Sequence, residues 1–254
     1  MYRKEDYIAV FDSGVGGISV LRQLKKIMPN ERYLYFGDSA NAPYGSRPTR
    51  EVRDLAMRAA EHLIGQGIKA LVVACNTATS AAIEALRQAY PELIVVGIEP
   101  ALKLASSRFP GGCVGVLATP VTLREEKFQH LAETSSNHCQ VIRLPAPGLS
   151  DLVEQGKANS PEAEALLRSI LTPWVGKMDA LVLGCTHYPF AAQTIGGIMG
   201  NATVLLDGGE GTARETLRRL AEAGLLYDGP GLIRWENSLN SPAINALSLK
   251  LMDA

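Results

Sequence analysis

The sequence lacks the features that identify membrane, secreted and nucleic-acid-binding proteins. Its 254 residues carry a formal net charge of −1, and no basic run of the kind that binds a phosphate backbone is present. No apolar run approaches the roughly 18–20 residues that a transmembrane helix needs. The charged first residues lead directly into an apolar run, so we expect no signal peptide. These absences predict a cytoplasmic protein that binds neither membranes nor nucleic acids.

Cysteine is scarce, and its spacing excludes the common cysteine-rich sites. The four cysteines are Cys75, Cys113, Cys139 and Cys185, and they form neither a Cys-x-x-Cys pair nor a Cys/His cluster with zinc-ligand spacing. A disulfide framework is not expected in a cytosolic protein of this size. We interpret Cys113 and Cys139 as small buried apolar residues.

The other two cysteines end similar segments of the chain. Residues 71–80 are LVVACNTATS, and residues 180–189 are ALVLGCTHYP. In both, a run typical of a buried strand ends in a thiol, and a hydroxyl follows where a helix could begin. A thiol at a helix start lies near partial positive charge, which favours the thiolate. Two such thiols, Cys75 and Cys185, indicate a shared function.

Strand and helix patterns alternate along the chain, which is typical of a doubly wound parallel α/β sheet. The first strand ends at Asp12, and the pattern restarts in a strand that ends at Thr119, an offset of 107 (119 − 12). The cysteines have a similar offset of 110 (185 − 75). We therefore predict two similar doubly wound lobes with the ligand cleft between them. Lobe one would comprise 1–98 and 209–254 and carry Cys75, and lobe two would comprise 99–208 and carry Cys185.

Two polar loops follow strands of the predicted first lobe, where α/β proteins hold their ligands. The turn at 12–17 is rich in glycine, and Asp12 supplies an anion suited to an ammonium group. Its glycine spacing does not fit the dinucleotide-binding fingerprint. The second loop, 37–46, contains Tyr44 and two turn signals.

Several local predictions can be tested directly against a structure. Helical spacing predicts helices over 81–89, 123–131 and 212–223, and a helix that begins near Leu152. The last clear strand covers 204–206. The tail from Tyr227 onwards is weakly patterned and shows no chemistry.

Two thiols that face one cleft suit proton transfer at a carbon atom. One thiolate removes a proton from one face, and the opposite thiol donates a proton to the other face. The site must also stabilise a carbanion and exclude water. Neither Lys69 nor Lys177 fits a pyridoxal lysine, because each lies at the wrong end of a cysteine strand.

Two other classes of protein remain open from the residues alone. A thiol hydrolase or amidase could use Cys185 as nucleophile and His187 as base, but Cys75 would then have no role. A two-lobe amino-acid-binding protein could hold a ligand in the same cleft without turnover. Ligand binding by such a protein would survive the loss of both cysteines.

Four segments occur in an order that identifies one enzyme family. They are FDSGVGG at 11–17, GDSANAPYG at 37–45, ACNTAT at 74–79 and GCTHYP at 184–189. Together they resemble the signature blocks of the glutamate racemases, the cofactor-independent enzymes of the aspartate/glutamate racemase superfamily. The Ala-Pro-Tyr-Gly block favours glutamate over the alternative, an aspartate or other amino-acid racemase.

The resemblance implies roles for individual residues and partners. Cys75 and Cys185 would be the two acid/base thiols. The substrate-binding residues would be Asp12, Ser13, Tyr44, Gly45, Asn76, Thr77, Thr186 and His187, and the auxiliary candidates would be Asp38, Thr119 and Glu154. It implies no cofactor and no metal, and supply of D-glutamate for peptidoglycan. It leaves open a homodimer and activation by a cell-wall precursor.

Overall fold

The computed structural model of the protein describes residues 2–98 and 100–253. Residues 1, 99 and 254, which the predicted lobe ranges include, lie outside the described residues. The strands are β1 (Tyr7–Asp12), β2 (Arg32–Gly37), β3 (Ile68–Val73), β4 (Ile94–Gly97), β5 (Cys113–Ala118), β6 (Gln140–Pro145), β7 (Ala180–Leu183), β8 (Val204–Asp207) and β9 (Leu232–Asn237). The α-helices are α1 (Ile18–Ile27), α2 (Thr49–Ile64), α3 (Asn76–Ala89), α4 (Leu102–Arg108), α5 (Pro120–Arg124), α6 (Glu126–Ser136), α7 (Leu149–Glu154), α8 (Pro161–Leu171), α9 (Ala192–Met199), α10 (Gly209–Glu222) and α11 (Pro242–Asp253).

The strands form two parallel sheets, which confirms the predicted α/β fold. One sheet has five strands in the order β4-β3-β1-β2-β9, and the other has four in the order β6-β5-β7-β8. The central strands are buried because helices cover both faces of each sheet, and such strands read as continuous apolar runs. Among the described helices, none has both the length and the apolar character needed to cross a membrane.

The structure corrects four of the local predictions. The tail contributes β9, which pairs in parallel with β2 at the edge of the larger sheet. The predicted helix over 123–131 is broken at Glu125, whose backbone is extended between α5 and α6. Helix α3 begins at Asn76, five residues earlier than predicted (81 − 76). Helix α7 ends at Glu154, whereas the sequence suggested a helix beginning near residue 152.

A buried ion pair lies at the amino-terminal end of the larger sheet. The Nζ atom of Lys69 on β3 lies 2.6 Å from Oε2 of Glu31, and both side chains are almost fully buried. The ammonium also donates to the backbone oxygens of Lys4 and Leu225, and the backbone N–H of Tyr227 donates to Glu31. These bonds tie the amino-terminal segment and the segment after α10 to the sheet, far from the carboxyl ends of its strands.

Candidate active site

The carboxyl ends of strands from both sheets meet at one cavity. Cys75 follows β3 of the larger sheet and Cys185 follows β7 of the smaller sheet, and both thiols line this cavity. Most of the predicted site residues line it with them. The lining residues are Ser13, Ala42, Pro43, Tyr44, Gly45, Cys75, Asn76, Thr77, Thr119, Ser150, Glu154, Cys185, Thr186 and His187.

Cys75 caps the amino terminus of α3. Its Sγ atom accepts a hydrogen bond from the backbone N–H of Ala78 at 3.4 Å and donates to Oγ of Ser13 at 3.5 Å. Burial is the largest effect on this thiol, and the negative charge of Asp12 adds to it. Together they raise the pKa of Cys75 to about 12, against the smaller opposing effects of the two hydrogen bonds. The ligand-free protein therefore holds Cys75 as a thiol at neutral pH.

Cys185 has a different environment, although its sequence resembles that of Cys75. No α-helix begins directly after it, because the chain enters a 3-10 turn at Tyr188–Ala191 that contains Pro189. Its Sγ atom lies 3.5 Å from Nδ1 of His187. The histidine, and not a helix terminus, is thus the nearest source of positive charge for this thiol.

His187 is held from its other side by Glu154. The Nε2 atom of His187 lies 2.6 Å from Oε1 of Glu154, and the ring is almost fully buried. Burial lowers the pKa of His187, but the hydrogen bonds and charges of Cys185 and Glu154 outweigh it and raise that pKa well above its usual range. The arrangement favours an imidazolium beside Cys185. Glu154, His187 and Cys185 therefore form a continuous chain of polar contacts.

Asp12 is completely buried behind the cavity wall and does not line the cavity itself. Its carboxylate accepts hydrogen bonds from the backbone N–H of Gly14 and from Oγ1 of Thr186, both at 2.9 Å. Burial raises the pKa of Asp12, and the nearby His187 opposes that effect. Its bond to Thr186 joins the turn after β1 to the segment that carries Cys185.

The hydroxyl of Tyr44 is occupied within its own loop. It donates to Oδ2 of Asp38 at 2.7 Å, and Nδ2 of Asn41 donates to the same carboxylate. Asp38 therefore braces the loop and does not line the cavity. Other atoms of Tyr44, together with Gly45, form that part of the cavity wall.

Three buried threonine hydroxyls lie close together, and two of them, those of Thr77 and Thr119, belong to residues that line the cavity. Oγ1 of Thr77 lies 3.3 Å from that of Thr119 and 3.2 Å from that of Thr122. Sequence reasoning missed Thr122, although Thr119 followed by Pro120 is a helix amino-terminal signal that places Thr122 one turn later. It also missed Ser150, which lines the cavity from α7.

Asn76 presents a polar atom without a protein partner. Its side chain is 4% exposed, and its Oδ1 atom has no hydrogen-bond partner among the described residues. An unsatisfied buried acceptor is costly and marks a position where a ligand donor can bind. The cavity thus combines two thiols, an unpaired acceptor, several hydroxyls and the amino terminus of α3.

Comparison with known proteins agrees with this arrangement. The Asp/Glu/Hydantoin racemase family model matches residues 17–216. The chain is 45% identical to a glutamate racemase of Clostridium perfringens over 249 residues, which cover 97% of this chain and 96% of that one.

Two solved structures are also similar to this chain. A glutamate racemase of Francisella tularensis in complex with D-glutamate has a TM-score of 0.86 and 27% identity, covering 99% of this chain and 95% of that one. The glutamate racemase of Escherichia coli, solved with L-glutamate and the activator UDP-MurNAc-Ala, has a TM-score of 0.83 and 28% identity, covering 97% and 94%. The chain therefore belongs to the Asp/Glu/Hydantoin racemase family, among its glutamate racemases.

Proposed function

We propose that this protein interconverts L- and D-glutamate by two-base proton transfer at Cα, with Cys75 and Cys185 as the two bases. The observation that carries the proposal is that the two thiols reach one cavity from two separate sheets. Our proposed lobes, 1–98 with 209–254 and 99–208, each supply one thiol. A substrate held between the lobes would present opposite faces of Cα to the two sulfur atoms.

The proton balance requires one thiolate and one thiol at the start of each turnover. The thiolate takes the Cα proton, the electron pair of the C–H bond becomes a carbanion, and the opposite thiol donates its proton to the other face. The two sulfur atoms then have exchanged protonation states. Reaction in the opposite direction, or proton exchange with water, restores the starting state.

The two thiols reach their thiolate states by different means. At Cys185, the imidazolium of His187 supplies positive charge at 3.5 Å, and Glu154 holds the ring. At Cys75, the amino terminus of α3 supplies a backbone N–H, while burial and Asp12 oppose the charge. A bound substrate ammonium would offset that opposition.

The polar groups of the cavity match the charges of glutamate. The unpaired Oδ1 atom of Asn76 can accept from the substrate ammonium. The first turn of α3 and the hydroxyl of Thr77 can donate to a carboxylate. The second carboxylate would bind near Tyr44 and Gly45, whose atoms also line the cavity.

Circular dichroism of L- and D-glutamate with the purified protein and no added cofactor tests this function, with aspartate in parallel. Cys75→Ala and Cys185→Ala should each abolish racemisation, while Cys113→Ala, a cysteine outside the cavity, should leave it unchanged. Full activity in either cavity variant would refute the two-base assignment.

In deuterated water, each enantiomer should acquire deuterium mainly in the product formed, because the two bases act on opposite faces.

We further propose supply of D-glutamate for peptidoglycan and activation by a cell-wall precursor, as in the Escherichia coli relative. A second cavity of about 400 Å³ between α3, α4 and α6 is lined by Lys103, His130 and His138, which can bind phosphates. Titration of racemisation with UDP-MurNAc-Ala tests the proposal. Lys103→Ala should weaken activation. An absence of any response in the wild type would refute the proposed activation by a cell-wall precursor.

A further inference from the structure

The carboxyl-terminal helix packs into the apolar cluster that also contains the residue before Glu154. Helix α11 packs on α1, and Leu251 is buried in the apolar cluster that also contains residues of α1. The same cluster includes Val153, which directly precedes Glu154, and Phe190, which follows His187 by three residues. The tail, to which the sequence assigned no chemistry, is therefore continuous with the packing behind the catalytic cavity.

Leu247 of α11 lies beside the chain just beyond α7 and packs against the apolar cluster that contains Val153 and Ala158. Its Cδ1 atom lies 3.5 Å from the position that a Cβ atom would occupy on Gly156. Gly156 has a φ of 72°, a left-handed conformation that favours glycine and turns the chain directly after α7. Helix α7 has only six residues, so its last turn depends on neighbouring packing for its position.

The carboxylate of Glu154, the last residue of α7, must be positioned accurately relative to His187 and Val15. A single oxygen, Oε1 of Glu154, accepts from the backbone N–H of Val15 at 2.7 Å and lies 2.6 Å from Nε2 of His187. A Cβ atom added to Gly14 would lie 1.9 Å from the same oxygen, so the backbone turn fits tightly around it. A small displacement of α7 would lengthen the contact to His187.

We propose that Leu247 is a positioning residue for the reaction, because its packing beside Gly156 and against the cluster of Val153 keeps Glu154 on His187 and thereby keeps His187 against Cys185. The inference rests on the proposed two-base function, and it assigns the tail helix to one thiol only. Cys75 is held by hydrogen bonds to Ser13 and Ala78 and has no carboxylate–histidine pair of this kind among the described residues.

Leu247→Ala tests the proposal, with Leu249→Ala as the matched control. Leu249 lies on the same helix and is 54% exposed, so its truncation leaves the packing intact. We expect kcat/KM to fall about 10-fold in Leu247→Ala, less than the roughly 100-fold that a 1 Å misplacement can cost. The fall must be equal for both enantiomers because the equilibrium constant of a racemisation is 1.

The primary deuterium isotope effects distinguish positioning from loss of folded protein. With glutamate deuterated at Cα, the isotope effect on kcat/KM should rise for the enantiomer whose proton Cys185 removes. It should fall for the other enantiomer, because proton transfer at Cys185 becomes the slower step. Loss of folded enzyme lowers the rate but changes neither isotope effect. The isotope effects therefore test the proposal even in a partly unfolded sample.

Leu247→Val, which removes less volume, should shift both isotope effects in the same directions by less, and Leu247→Met should restore wild-type values. Equal isotope effects in Leu247→Ala, Leu249→Ala and wild type would overturn the proposal. Absence of glutamate racemisation in the wild type would instead overturn the proposed function. The two failures are therefore distinguishable.

Discussion

The protonation of Cys75 gives a prediction that needs no substrate. Burial and the charge of Asp12 raise the pKa of this thiol to about 12. Relative to an ordinary cysteine with a pKa near 8.5, a thiolate at pH 8 is then about 2,000-fold rarer, with a population of roughly 1 in 10,000. Since the thiolate is the species that reacts with alkylating reagents, Cys75 should be alkylated slowly in the ligand-free protein.

Iodoacetamide alkylation followed by peptide mass spectrometry measures this directly, because it separates Cys75 from the other three cysteines. Between pH 7 and pH 11 we expect the rate at Cys75 to rise about tenfold per pH unit without a plateau. Asp12→Asn removes a like charge, so the pKa of Cys75 should fall and alkylation at pH 9 should be roughly tenfold faster.

The shape of the pH profile carries the test, since restricted access to the cavity lowers the rate equally at every pH. Protein unfolded in urea serves as the control and should give an ordinary midpoint near 8.5. A midpoint near 8.5 at Cys75 in the folded protein would refute the electrostatic reasoning. An unchanged pH profile in Asp12→Asn would refute only the contribution of the Asp12 carboxylate to the pKa of Cys75.

Three further substitutions test other contacts. Lys69→Met leaves the opposing buried carboxylate unpaired, so the free energy of unfolding should fall by about 3–5 kcal/mol and the melting temperature by roughly 10 °C, measured by thermal circular dichroism. Thr49→Val removes the hydrogen bond to Glu125 between the segments beside the cavity. We expect this bond to favour the closed cleft by about 1 kcal/mol, so its loss should raise KM up to about fivefold in steady-state assays. An unchanged KM would show that the bond does not hold the cleft closed. Gly45→Ala places a Cβ atom 2.9 Å from Cγ2 of Thr119, and kcat/KM should fall about tenfold; wild-type kinetics would mean that the loop yields without cost.

The edge strand and the broken helix show where sequence patterns fail. Strand β9 carries Arg234 and Glu236 at an edge of the sheet, so it lacks the continuous apolar run of a central strand. The apolar spacing of 123–131 continues through Glu125, but spacing cannot register the extended backbone that separates α5 from α6. Both errors arise because tertiary packing overrides a local pattern.

The cysteine environments show the same limit at the site. The sequence alone determined the α/β fold, because strands buried on both faces must be apolar throughout, and it identified Cys75 and Cys185 as residues at strand ends. It placed His187 near Cys185, but it could not show what holds that ring, because Glu154 is distant in the chain. Glu154 reaches His187 across 33 residues and Val15 across 139. Only the tertiary structure decided that Glu154 holds His187 beside Cys185 and that Ser13 contacts Cys75, since such contacts depend on how distant segments pack and not on local periodicity.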